Sequence, residues 1–83
     1  MTTVVVRNPR QVGDVIRHVR TTSEKGVGEL AEIVNVTPQY LWEIETGRPN
    51  LYITRLFRIL QRLKITVTLG FEDFPSKEDN LDG

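Results

Sequence analysis

The sequence predicts a small, mainly helical domain that closes with a β-strand. Three observations predict it. Apolar residues recur at helical spacing in four separate stretches, two of these open on a capping residue followed by proline, and the period falls from 3.6 to 2 near residue 65. At 83 residues the chain makes one domain. A core at this length buries only about 60% of the unfolded surface, so association with a second chain would add stability.

Asn8-Pro9 starts the first helix, because asparagine is a favoured N-cap and proline tolerates the first helical position. Val12, Val15, Ile16 and Val19 then recur at helical spacing, to about Thr22. "SEKG" breaks the pattern, and Leu30, Ala31 and Val34 mark a short second helix ending at Asn35, a residue that accepts the left-handed backbone of helix ends. Thr37-Pro38 repeats the cap-then-proline start, Leu41 and Ile44 supply a buried side, and Gly47 ends the third helix. Ile53, Leu56, Ile59, Leu60 and Leu63 form the stripe of a fourth, from Leu51 or Tyr52 to about Lys64.

In "ITVTLGF", Ile65, Val67, Leu69 and Phe71 alternate with Thr66, Thr68 and Gly70, as in a half-buried strand. A lone strand leaves its edges unpaired, so its partner is either "TTVVVR" at residues 2 to 7 or a second copy of the chain. The chain therefore divides into an extended segment at 1–7, a helical domain at 8–64, a strand at 65–72 and an acidic tail at 73–83 expected to be mobile.

The chain has no cysteine, which removes disulfides, zinc-thiolate sites and thiol chemistry, and suits a reducing cytoplasm. "MTTVVVRNPR" has no basic run before an apolar stretch, and no segment approaches the ~20 apolar residues of a membrane span, so neither export nor membrane insertion is expected. His18 is the single histidine, a surface residue among Arg17, Val19 and Arg20 rather than a metal ligand. No phosphate-binding glycine loop, paired carboxylates or nucleophile triad is present, so neither enzymatic activity nor a cofactor is expected. Net charge is zero, yet residues 72 to 83 hold five acids and one lysine, leaving the other 71 residues at +4.

Two short helices joined by so tight a turn must cross steeply, which is the helix-turn-helix arrangement. "ELAEIVNVTPQYLWEIETG" is similar to the helix-turn-helix of the Xre and phage-repressor family, with Leu30, Ala31, Val36, Thr37, Leu41, Ile44, Glu45 and Gly47 at matching positions. "LFRILQRLKITVTL" resembles the last helix and C-terminal strand of the HipB-type antitoxins, small repressors that partner a HipA-type kinase toxin. The resemblance covers about residues 8 to 70. It implies a lambda-repressor-like domain of four to five helices whose C-terminal strand, through Ile65, Val67, Leu69 and Phe71, forms an intersubunit sheet in a homodimer. It also implies a structural ion pair between Arg20 and Glu45.

With Leu41 facing the core, a helical wheel turns Gln39, Tyr40, Trp42, Glu43 and Thr46 outward. Such a face suits the DNA major groove. Gln39 would pair with adenine, Tyr40 and Trp42 would pack on thymine methyls or sugars, and Glu43 would accept from cytosine N4. Where family members place Thr-Gln at the start of helix 2, this chain has Gly26 and Val27. Val27 to Thr46 contains four glutamates and no lysine or arginine, a net charge of −4 facing a polyanion. Phosphate contacts would then come from Thr37, Thr46, Arg48, Arg55 and Lys25 and from helix-start N–H groups. Arg58 and Arg62 read as solvated charges on the back of helix 4. The expected function is a homodimeric antitoxin and autorepressor of a toxin-antitoxin operon, cytoplasmic and nucleoid-associated, binding a palindromic operator and a HipA-like kinase. The rival readings are a stand-alone Xre-type regulator and a protein-interaction module with weak or no DNA binding.

Overall fold

The structure, a computed structural model, describes residues 1–48 and 50–72. The acidic tail expected at 73–83 lies outside the described residues. Four helices and two strands follow in the order β1 (Thr2–Val6), α1 (Pro9–Thr22), α2 (Val27–Ile33), α3 (Pro38–Glu45), α4 (Leu51–Arg62) and β2 (Val67–Phe71).

Three of the four helices start on a side-chain cap. The Asn8 side chain accepts the Gln11 N–H at 2.9 Å, the Thr37 hydroxyl accepts the Tyr40 N–H at 3.0 Å, and the Asn50 side chain accepts the Ile53 N–H at 3.2 Å. Gly26 opens α2 with no side-chain cap. The ends close by left-handed residues, namely Glu24, Asn35, Gly47 and Lys64 at φ of 59°, 62°, 69° and 59°. All four closures carry a long backbone bond: Lys25 N–H to the Arg20 carbonyl at 3.2 Å, Val36 N–H to that of Ala31 and Arg48 N–H to that of Glu43, both at 2.9 Å, and Ile65 N–H to that of Leu60 at 2.8 Å.

β1 and β2 pair antiparallel within the chain, in a register that sets Val4 opposite Leu69 and Val6 opposite Val67. Of the two partners the sequence left open for the C-terminal strand, the N-terminal segment takes the place. The strand is also shorter than residues 65–72, because the Ile65 N–H is spent closing α4 on the Leu60 carbonyl at 2.8 Å. Alternation puts Val4, Val6, Val67, Leu69 and Phe71 on the less exposed face. At one end of that face the Phe71 ring meets His18 of α1 edge-on, with centroids 5.7 Å apart. At the other, the Gln61 side chain donates to the Arg7 carbonyl at 2.6 Å and ties α4 to the end of β1.

The buried apolar centre is small: Val6, Ala31, Leu41 and Phe57. They come one each from β1, α2, α3 and α4. Ala31 is fully buried, and its short side chain admits α3 closely against α2. Among the described residues no helix is long and apolar enough to cross a membrane.

Candidate nucleic-acid interface

α3 is held from behind by α1 in two ways. First, Gly13 of α1 lies against the end of α3 so tightly that a Cβ there would stand 2.2 Å from the Ile44 carbonyl oxygen and 2.7 Å from that of Glu45. A hydrogen is all that fits. Second, Arg20 forms a two-pronged ion pair with Glu45, Nε to Oε2 at 2.6 Å and Nη2 to Oε1 at 2.9 Å. Both side chains are largely buried, with 10% and 4% exposure. The third guanidinium nitrogen, Nη1, donates to the Lys25 carbonyl at 2.9 Å, so the same side chain also ties the α1–α2 turn. Hydrogen bonding to Glu45 pushes the Arg20 pKa up, burial opposes it, and the carboxylate's charge reinforces it. The arginine therefore stays charged across any working pH. Gly13 was not singled out from the sequence, although a glycine inside a helical pattern is itself a sign of close packing.

With its back fixed, α3 exposes Gln39, Tyr40, Trp42 and Thr46, with Glu43 half-buried. Tyr40 and Trp42 are 53% and 45% exposed. Gln39 Nε2 donates to Glu43 Oε2 at 3.1 Å. That bond uses one of the two amide hydrogens and leaves the other, with Oε1, to meet the N7 and N6 edge of an adenine. The Thr46 hydroxyl donates back to the Trp42 carbonyl at 2.9 Å, and that of Thr37 serves as a cap, so toward a phosphate each offers less than a free hydroxyl.

The outward residues fall into two groups. Tyr40 and Glu43 line an open cavity of about 510 Å³ between the starts of α1 and α4, with Val12, Ile16, Ile44 and Ile53 as its apolar wall and Arg48 and Tyr52 also at its edge. Gln39, Trp42 and Thr46 do not line it.

The candidate cations are spread out. Arg48 is exposed just past α3, Arg55 is exposed on α4, and Lys25 is half-buried in the turn between α1 and α2. Arg58 and Arg62 are exposed on α4. Of the residues expected at a dimer interface, Ile65 is 49% exposed, whereas Val67, Leu69 and Phe71 are half-buried on the inner sheet face. The larger exposed apolar surface is on α4, where Leu56, Ile59 and Leu63 are 42%, 55% and 63% exposed at spacings of three and four. Among the described residues no three His, Cys, Asp or Glu side chains converge as metal ligands do.

Comparison with known proteins supports a helix-turn-helix regulator. Over 64 residues the chain is 25% identical to an "Uncharacterized HTH-type transcriptional regulator y4mF" of Sinorhizobium fredii (strain NBRC 101917 / NGR234), covering 77% of this chain and 84% of that protein. No known protein family matches the chain, and no solved structure does.

Proposed function

We propose that this chain is a sequence-specific DNA-binding repressor acting as a homodimer, and that it is the antitoxin of a toxin-antitoxin operon which it represses. The observation that carries the DNA-binding reading is the face of α3. Gln39 and Trp42 stand exposed on a short capped helix whose orientation is set by Gly13 and by the Arg20–Glu45 pair. Rigid support behind a polar, aromatic face is what reading base edges requires, since a bidentate amide contact is lost when the helix tilts. The similarity to a named HTH-type regulator supports the same reading.

Two subunits place their reading helices about 34 Å apart, on successive major grooves of a palindromic operator. The exposed stripe Leu56, Ile59 and Leu63, continued by Ile65, supports association, as does the two-stranded sheet, whose strands each keep one edge without a strand neighbour among the described residues. Another surface holds a HipA-like kinase toxin; this rests on the likeness of residues 56–69 to HipB-type antitoxins. The chain acts without catalysis of its own, in the cytoplasm and associated with the nucleoid.

Titrating duplex DNA at low salt while following Trp42 fluorescence tests the DNA reading, because the chain holds one tryptophan and it sits on the proposed contact face. A saturable change that salt reverses is expected. One observation favours the protein-interaction module: the net charge of −4 over Val27 to Thr46. An indole indifferent to duplex, together with stable co-purification of a protein, would establish that module instead. Co-purification with a kinase encoded beside this gene distinguishes the antitoxin from a stand-alone regulator.

A further inference from the structure

We propose that Arg10, at the start of α1, joins Arg48 in a two-arginine phosphate clamp at the C-terminal end of the reading helix. This rests on the DNA-binding reading above. The two residues are 38 positions apart in the chain and meet through Gly47. Gly47 has φ +69°, and a Cβ on it would lie 2.7 Å from the Arg10 Cα, 2.8 Å from its Cβ and 3.2 Å from its Cγ. The stem of Arg10 therefore runs directly over Gly47, one residue from Arg48. Both arginines are exposed. Among the described residues the ion pair is Arg20–Glu45, so neither Arg10 nor Arg48 is neutralised there.

A reading helix contacts base edges mainly through its N-terminal residues, so the C-terminal end of α3, beside which Arg10 and Arg48 lie, is the end left for the phosphate backbone. The need for cations there is acute. The helix-turn-helix unit carries −4, and Gly26 at the start of α2 offers no side chain to a phosphate. A phosphate within reach of both side chains would accept from two charged, planar donors at once.

The rival role for Arg10 is structural, a cation stabilising the negative end of α3. The salt dependence of binding separates the two. Full-length protein is titrated with a random-sequence duplex several turns long across a range of salt concentrations. Arg10→Gln is expected to lower the slope of log K against log salt by about 0.9 per bound protomer, Arg48→Gln by the same amount, and the double variant by their sum. Arg10→Lys keeps most of the slope, and Arg58→Gln, read as a solvated charge on the back of α4, leaves it unchanged. A wild-type slope in Arg10→Gln overturns the clamp, and if its melting temperature falls at the same time, the structural role is established. Wild-type protein that binds no duplex overturns the DNA reading itself, and the clamp with it.

Discussion

Gly13 of α1 and Ile44 of α3 approach so closely that a methyl group at position 13 would overlap the Ile44 carbonyl oxygen, at 2.2 Å. In an exposed helix a glycine to alanine change stabilises by about 0.5 to 1 kcal/mol. Here the sign reverses. The atoms in the way are backbone and cannot rotate aside, so Gly13→Ala is expected to cost about 1 to 3 kcal/mol net. That lowers the melting temperature by about 4 to 8 °C per kcal/mol. Calorimetry checks it, and a variant as stable as the parent would show that the two helices are not in contact.

Removing one member of the Arg20–Glu45 pair leaves the other buried and unmatched. Glu45→Gln is expected to cost about 3 to 5 kcal/mol, out of the 5 to 15 kcal/mol typical of a small domain. Arg20→Met together with Glu45→Leu should recover most of this in urea denaturation, because no uncompensated charge remains. If the double change costs as much as the sum of the single ones, the coupling between the two side chains is zero and the pair does not stabilise the fold as a unit.

Gly26 begins α2 at φ −75° and ψ 163°, a backbone that any residue adopts, and a Cβ there would meet nothing within 4 Å. Gly26→Ser supplies the missing cap and restricts the unfolded chain. A gain of about 0.5 to 1 kcal/mol is expected in chemical denaturation. Thr37→Ala, which removes a formed cap at α3, should lose about 1 kcal/mol in the same assay. Equal stability in both variants would mean that the helix ends contribute little.

Leu56→Glu and Leu63→Glu each place a charge on the exposed stripe of α4 without touching a buried residue. If that stripe is the subunit contact, sedimentation velocity at micromolar concentration should find monomers whose circular dichroism is unchanged. DNA affinity should also fall steeply, because two linked reading heads gain from effective concentration. A truncation before Ile65 should likewise give monomers and lose operator binding. Dimers that persist in all three place the contact elsewhere.

Helix starts and stops were legible because their signals are local. Asn8-Pro9 and Thr37-Pro38 act on N–H groups three residues away, and Asn35 and Gly47 take the left-handed backbone their positions required. The wheel reading of α3 was legible for the same reason: one turn of helix dictates that Leu41 and Gln39 face apart. β2 begins two residues after the alternation of apolar side chains does, since that alternation starts at Ile65 but the Ile65 N–H belongs to the end of α4. A side-chain pattern does not report where a backbone hydrogen bond goes.

By itself, then, the order of amino acids determined the helices, their caps, the polar and aromatic face of α3, and the separation of an acidic C-terminus from a basic body. The tertiary structure alone decided what meets across long stretches of chain. It selected β1 as the partner of β2, brought Gly13 within contact of Ile44, and laid Arg10 over Gly47. The physical reason is range. Capping and periodicity act over one turn, whereas strand pairing and backbone packing depend on how helices cross, and many sequences with the same local pattern satisfy different crossings.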